Sequence, residues 1–134
     1  MQFTCLQGVG HGPVSAVLFL HTRCLFRPVR PFWTAFWSNG PNWPAGGEID
    51  IIEGVNDYTN NQATIHTSDG CSLPTSSSSQ LNIAGTVVGG TNCAADQTGN
   101  QGCGVRSSSN TTFGSGFNSI GGGVYASKVF PLGM

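Results

Sequence analysis

The sequence predicts an all-β domain with long loops. Two short segments, residues 46–55 and 62–67, are rich in β-branched residues, which favour a pleated strand. Clusters of Gly, Pro, Asn and Ser separate such segments, and no stretch repeats apolar residues at the helical period. At 134 residues the chain is long enough for one domain at most.

Three carboxylates lie inside the first segment: Glu48, Asp50 and Glu53. Side chains alternate along a strand, so Glu48 and Asp50 share one face while Glu53 would turn away. One β-bulge at residues 51–52 would return Glu53 to that face, because two residues then occupy one step. Two glutamates leaning together over Asp50 would bring their carboxyl groups to about 5–6 Å, a separation typical of retaining glycosidases. With the bulge, the spacing therefore predicts a catalytic pair of carboxylates.

Charged residues are scarce, at 8% of the chain against about 25% in an average protein. The net charge of −1 gives no reason to expect nucleic acid or an anionic membrane as a partner. The 20 glycines and the many polar, uncharged residues suit an extracellular β-protein. Asn110 begins a glycosylation sequon, which agrees with secretion.

The five cysteines form no CxxC pair, so the sequence predicts no zinc site. Cys71, Cys93 and Cys103 lie in loop-like segments, as expected for disulfides of a secreted protein. Cys5 and Cys24 lie near the amino terminus. The sequence leaves the pairing open, and the odd total leaves at least one cysteine without a disulfide partner in the chain.

The acidic strand is predicted to lie between two other strands along the chain. Residues 32–37 (Phe-Trp-Thr-Ala-Phe-Trp) fit a strand, and a loop with strong turn signals follows them. After a polar turn at residues 56–61, the strand at 62–67 would place Thr64 and His66 on one face. A hairpin of this strand with the acidic strand would bring His66 beside the carboxylates.

The beginning of the chain and the region after residue 69 are less regular. Residues 1–30 contain a short apolar run with no positive charge before it, so they are predicted to be an unrelated or poorly ordered leader. Beyond residue 69 the chain is predicted to be loop-rich, with strand-like stretches at 86–88 and 124–126.

The sequence around the acidic strand resembles glycoside hydrolase family 16, in particular its fungal endo-1,3(4)-β-glucanases of the laminarinase type. The centre of the resemblance is Gly-Glu-Ile-Asp-Ile-Ile-Glu-Gly at residues 47–54, the bulged Glu-x-Asp-x-x-Glu signature. Further matching motifs are Ala-Phe-Trp at 35–37, Asn-Gly-Pro-Asn-Trp-Pro at 39–44, His-Thr-Ser-Asp-Gly-Cys at 66–71, Gly-Cys-Gly at 102–104 and Gly-Gly-Gly-Val-Tyr-Ala at 121–126.

The resemblance implies a concanavalin A-like β-jelly-roll sandwich with a sugar-binding cleft on its concave face. It makes residues 31–126 a partial family 16 domain, between the leader of residues 1–30 and a divergent tail of residues 127–134. Because the catalytic domains of the family are considerably longer, the resemblance implies an incomplete sandwich in a truncated chain.

The same resemblance assigns roles to individual residues. Glu48 is expected to be the nucleophile, ionised when it attacks, Glu53 the general acid/base, and Asp50 a residue between them that tunes their protonation. Four residues are expected to bind substrate: Trp37, Trp43, His66 and Asn39. Trp43, in a Pro/Gly/Asn loop, is the best candidate for stacking on a sugar ring, whereas Trp33 is predicted to pack in the core. Neither a metal ion nor another cofactor is predicted.

These assignments predict retaining hydrolysis of β-1,3- or mixed β-1,3/1,4-glucans by a secreted, monomeric glycosidase whose partner is the β-glucan polysaccharide. A transglycosylase with the same site is one alternative, since a sugar hydroxyl can resolve the same intermediate. A non-catalytic glucan-binding or inactive fragment is another. The carboxylates could also lie on a solvated edge strand, or hold a metal ion together with His66.

Overall fold

The computed structural model of the protein describes residues 15–18 and 33–128. Their regular elements are mostly strands, which confirms the predicted all-β class. In chain order, the elements are β1 (Ser15–Leu18), β2 (Trp33–Asn39), β3 (Glu48–Val55), β4 (Gln62–His66), α1 (Ser78–Leu81), β5 (Gly85–Val88), β6 (Cys103–Ser107), α2 (Gly114–Ser119) and β7 (Tyr125–Lys128).

Five strands form one antiparallel sheet in the order β2-β3-β4-β6-β5. The acidic strand is β3, and it has a hydrogen-bonded neighbour on each side. The alternative of a solvated edge strand is therefore wrong. The predicted hairpin of β3 and β4 is confirmed, and its register places Glu48 opposite His66.

Strand β6 and the two helices differ from the sequence prediction. β6 lies partly in a segment predicted as loop, because Cys-Gly-Val-Arg-Ser shows no clear alternation of apolar and polar residues. Its conformation is fixed instead by pairing with β4 on one side and β5 on the other. The helices have four and six residues, too short to show a helical period. Neither helix of the described part of the chain has the length and apolar character needed to cross a bilayer.

The strand pair β1 and β7 joins the two ends of the described chain. Its antiparallel register pairs Ser15 with Lys128 and Leu18 with Tyr125. Within the segment predicted as a leader, residues 15–18 thus form a strand. The rest of that segment and residues 129–134 lie outside the described residues, as do Cys5 and Cys24. The predicted domain boundaries stay predictions.

A small core lies near β4, β5 and β6. Its buried members are Ile65, Cys71, Leu73, Leu81, Cys93 and Cys103. Cys93 and Cys103 form a disulfide, which ties the connection before β6 to that strand. Of the three cysteines predicted in loops, two are therefore bonded to each other, and Cys71 lies buried in the same core.

Phe113 supports β3 from the face opposite its carboxylates. Phe113, just before α2, packs its ring against Gly54, where an added Cβ would lie 2.5 Å from the ring carbon Cε1. The absence of a side chain at Gly54 lets Phe113 approach the strand closely. The backbone N–H of Phe113 also donates to the carbonyl of Thr59 at 2.8 Å, which fixes this segment against the β3–β4 turn.

The predicted β-bulge is present in β3. Against β2, Asp50 pairs with Trp37 and Ile52 with Phe36, so Ile51 is the extra residue. The pairing with β4 shows the same insertion, since three steps along β3 match two steps along β4 between Asp50 and Glu53. The bulge thus restores Glu53 to the face of Glu48 and Asp50, as the spacing predicted.

The side chain of Asn61 holds this bulge in place. Its Oδ1 accepts a hydrogen bond from the backbone N–H of Glu53 at 3.0 Å, and its Nδ2 donates to the carbonyl of Ile51 at 2.9 Å. Asn61 is buried, and its own N–H donates to the hydroxyl of Thr112 at 2.9 Å. The amide therefore satisfies backbone groups that the interrupted ladder leaves without a strand partner.

We expect Asn61→Ala to lower the free energy of unfolding by about 2–4 kcal/mol, because two backbone groups beside the bulge lose their partner. Urea unfolding followed by circular dichroism measures this change. The matched control is Asn60→Ala, which removes two hydrogen bonds away from β3: one donated to the carbonyl of Ser107 and one accepted from the hydroxyl of Thr59. An equal loss in both variants would contradict a special role for Asn61.

Candidate active site

A cleft of about 680 Å³ lies over the carboxylate face of the sheet. All three acidic residues of β3 line it, and the register arranges its floor in rows across the strands. One row contains Trp37, Asp50, Thr64 and Gly104, and the next contains Ala35, Glu53, Gln62 and Arg106. The three carboxylates thus share a single concave surface, which is the arrangement that acid/base chemistry on a bound ligand requires.

Asp50 and His66 form a buried ion pair at the centre of the cleft floor. Asp50 Oδ2 lies 3.3 Å from His66 Nε2, and only 4% of the surface of Asp50 is exposed. The contact with Asp50 raises the pKa of His66 above its ordinary value of 6.5, and the charges of Glu48 and Glu53 act in the same direction while burial opposes them. A protonated His66 therefore balances part of the negative charge of the cleft.

Glu48 lies half-buried at the start of β3 and accepts a hydrogen bond from the indole N–H of Trp43. Burial raises the pKa of Glu48, and the neighbouring Asp50 raises it further. The hydrogen bond from Trp43 and the charge of His66 act in the opposite direction. An ionised nucleophile at Glu48, as the resemblance implies, therefore depends on these two partners.

Of the three tryptophans, Trp33 lies in a different place from the one predicted. Trp33 is 67% exposed and lines the cleft at the start of β2, so the prediction that it packs in the core is wrong. Its strand partner Val55 lies in the same outer row of the cleft, where no layer formed by residues 15–18 or 33–128 covers the indole. Trp37 is also exposed and lines the cleft.

Trp43 and Asn39 lie at the Glu48 end of the site. Trp43 contacts Glu48 through its ring nitrogen, and Asn39 pairs with Glu48 in the β2–β3 register. Neither residue belongs to the cleft lining, which His66 and Trp37 do line. Sugar binding by these four residues stays a prediction.

Three polar residues at the site were not named as candidate site residues from the sequence: Gln62, Thr64 and Arg106. Gln62 and Arg106 line the cleft, whereas Thr64 is buried beneath it. Thr64 donates a hydrogen bond from its hydroxyl to Glu53 Oε2 at 2.9 Å. The i, i+2 alternation had already placed Thr64 on the face of His66, and extending it by one step would have identified Gln62. Arg106 could not be found in this way, because its strand was not predicted.

Glu48, Asp50 and His66 also satisfy the geometric minimum for a metal site, since one donor atom from each lies within 4.8 Å of the others. In the structure, however, the His66 imidazole is paired with Asp50, and Glu48 accepts from Trp43. These contacts join the imidazole and the two carboxylates in one cluster of charged and hydrogen-bonded groups.

A comparison with models of protein families shows which family the chain belongs to. Residues 29–132 match the family model of the XgeA-like catalytic GH16 domain. The chain belongs to glycoside hydrolase family 16. This range begins and ends slightly outside the predicted 31–126, and it includes the whole bulged strand.

The chain is similar to fungal members of family 16. It is 48% identical over 94 residues to a probable endo-1,3(4)-β-glucanase of Aspergillus flavus, a match that covers 70% of this chain and 13% of that protein. A solved GH16 laminarinase 16A of Phanerochaete chrysosporium, which holds two β-glucans in its donor and acceptor sites, shows 42% identity and a TM-score of 0.63. That match covers 70% of this chain and 30% of the laminarinase, so the family 16 domain shares the jelly-roll fold over part of its extent.

A third relative is an elongating GH family 16 β-1,3-glucosyltransferase of known crystal structure. It shows 42% identity and a TM-score of 0.58, over 70% of this chain and 29% of that one. The chain spans 12–22% of the lengths of the curated relatives compared.

We expect Asp50→Asn to destabilise the protein more at pH 6 than at pH 9. The pKa of His66 is raised in the folded state, so the stabilisation from its ion pair is fully present below 6.5 and is lost as the pH rises through the folded value. Urea unfolding at both pH values measures the difference, and NMR titration of the His66 ring should show its pKa falling in the variant. Asp96→Asn, at an exposed carboxylate outside the cleft, is the control. A destabilisation of the same size at both pH values would contradict the ion pair.

Proposed function

We propose that the protein is a retaining β-glucan hydrolase in which Glu48 is the nucleophile and Glu53 the general acid/base. One observation carries the proposal: in a family 16 chain, the bulge of β3 places both glutamates on one cleft face with Asp50 between them. A double displacement at an acetal carbon requires two carboxyl groups that face the same bound sugar, and one concave surface carries both here.

In the first step, the ionised carboxylate of Glu48 attacks the anomeric carbon while Glu53 donates its proton to the departing glycosidic oxygen. The second step reverses these roles, since the Glu53 carboxylate takes a proton from water and the water oxygen displaces Glu48. The Trp43 N–H and the His66 charge favour the ionised form of Glu48. Asp50, held by His66, raises the pKa of Glu48 and of His66 and thereby links the protonation of these two groups.

The substrate class follows from the shape and lining of the cleft. An open cleft with exposed Trp33 and Trp37 beside the carboxylates suits an extended polysaccharide, because sugar faces stack on indole rings. The laminarinase relative binds β-glucans, which supports a β-1,3- or mixed β-1,3/1,4-glucan as the substrate of this chain. The Cys93–Cys103 disulfide supports an extracellular location, where such substrates occur.

We expect Glu48→Ser to lower the turnover of β-1,3-glucan oligosaccharides at least about a thousand-fold, because no other group can form the glycosyl-enzyme ester. Binding of the oligosaccharide, measured by calorimetry, should change little, since the hydroxyl leaves the rest of the cleft intact. Asp96→Asn serves as the control with an unchanged cleft. Retained turnover in a folded Glu48→Ser protein would overturn the assignment.

Transglycosylation is the second candidate, and the similarity to a β-1,3-glucosyltransferase favours it. The two reactions share the glycosyl-enzyme and differ only in the acceptor that resolves it. We expect hydrolysis to dominate in dilute substrate and longer products to appear as an acceptor oligosaccharide is added. Mass spectrometry of the products at several acceptor concentrations measures this ratio. If elongated products dominate even in dilute substrate, the protein is a transferase.

A further inference from the structure

A continuous chain of hydrogen bonds connects Arg106 to Glu53 across three strands. Arg106 Nη2 donates to Gln62 Oε1 at 2.8 Å, and Gln62 Nε2 donates to Thr64 Oγ1 at 3.2 Å. The hydroxyl of Thr64 then donates to Glu53 Oε2 at 2.9 Å. Strand register supports this chain, since Gln62 is opposite Arg106 on one side and opposite Glu53 on the other.

The direction of every bond in this chain is determined by chemistry. A guanidinium only donates, so Gln62 must turn its carbonyl oxygen toward Arg106 and its amide nitrogen toward Thr64. The oxygen of Thr64 then accepts from Gln62, and Glu53 Oε2 is the one acceptor that the hydroxyl proton meets among the described residues, so the proton is directed toward Glu53. The carboxyl oxygen that receives this proton, Oε2, is thereby occupied as an acceptor.

We propose that Arg106 acts through Gln62 and Thr64 to hold the acidic proton of Glu53 on Oε1. This inference rests on the proposed function, in which Glu53 is the general acid. A neutral carboxyl group carries one proton, and placing it on Oε2 would set it against the Thr64 hydroxyl proton. With Oε2 accepting, the proton stands on Oε1 and passes from there to the glycosidic oxygen as the bond to the leaving group breaks. The three residues are positioning residues.

Contacts with Tyr58 hold the guanidinium of Arg106 in place for this role. Its guanidinium carbon lies 4.8 Å from the centroid of the Tyr58 ring, and Nη2 also donates to the Tyr58 hydroxyl at 3.4 Å. Its Nε is buried and has no hydrogen-bond partner among the described residues. The bonds of Nη2 therefore hold the guanidinium, and a permanent cation at this end of the chain keeps the amide of Gln62 from flipping.

The consequence is a selective dependence on the leaving group. A poor leaving group, such as a sugar hydroxyl, needs the proton of Glu53, whereas a dinitrophenolate leaves without protonation because it is already a weak base. Loss of the hydrogen-bond chain should therefore slow cleavage of oligosaccharides and spare cleavage of dinitrophenyl glycosides. A general distortion of the cleft would slow both.

The test compares Thr64→Val with Thr64→Ser on these two substrates. Valine keeps the shape of this buried side chain and removes the hydroxyl, and serine restores the hydroxyl. We expect Thr64→Val to lower kcat for β-1,3-glucan oligosaccharides about ten- to a hundred-fold with little change in KM, and to change bond cleavage of the dinitrophenyl glycoside less than about two-fold. Thr64→Ser should recover most of the activity. Thr91→Val, at a half-buried threonine in the connection between β5 and β6 and outside the cleft, should behave like the wild type.

An equal loss on both substrates in Thr64→Val, or no loss on either, would overturn the proposed positioning. Two variants test the Arg106 end of the hydrogen-bond chain. Arg106→Met should reproduce the selective loss of oligosaccharide cleavage. Arg106→Lys should show a smaller loss, because lysine still donates to Gln62.

A measurement that needs no turnover separates this inference from the proposed function. The side-chain amide signals of Gln62 in nitrogen-15 NMR should shift toward those of free glutamine in both Arg106→Met and Thr64→Val. Unchanged signals would overturn the hydrogen-bond chain even in an active enzyme. A wild-type protein that cleaves neither substrate would overturn the proposed function, and the amide signals would still decide whether the chain exists.

Discussion

The geometry of the site depends on the two hydrogen bonds made by the side-chain amide of Asn61. A β-strand with regular pleating cannot present residues 48, 50 and 53 on one face, because the side-chain period is two. The extra residue Ile51 solves this problem and disrupts the hydrogen-bond ladder at the same point. Asn61 supplies both an acceptor and a donor there, toward Glu53 and Ile51. The direction of the Glu53 carboxylate is therefore set by a side chain that itself lies outside the cleft lining.

The charges of the cleft are arranged around two different cationic groups. His66 contacts Asp50 directly and titrates, so the balance at the Glu48 end changes with pH. Arg106 reaches Glu53 only through two neutral side chains, and its guanidinium can only donate hydrogen bonds. This asymmetry suits the two proposed roles, in which one carboxylate carries a charge and the other delivers a proton in a defined direction.

The sequence predicted the parts of the site that follow from local periodicity. The spacing of Glu48, Asp50 and Glu53 required a bulge, and alternation in the next strand placed His66 beside them; the structure bears out both. Trp33 was misplaced because aromatic residues usually pack inside, while its position is set by what covers the outer row of the sheet. Arg106 was missed because β6 owes its conformation to pairing on both sides, which a local pattern does not reveal.

The contacts of Thr112 and Phe113 with the β3–β4 hairpin also determine when the bulged strand reaches its final geometry during folding. The Asn61 N–H is held by Thr112, 51 positions further along the chain, and Phe113 packs against Gly54 from a similar distance in sequence. Contacts of such long range form late, because a large loop must close before they can stabilise anything. On a ribosome, the hairpin of β3 and β4 therefore emerges well before the segment that supports its bulge. The geometry of the candidate site is in this sense a late product of synthesis, completed by residues outside the cleft lining.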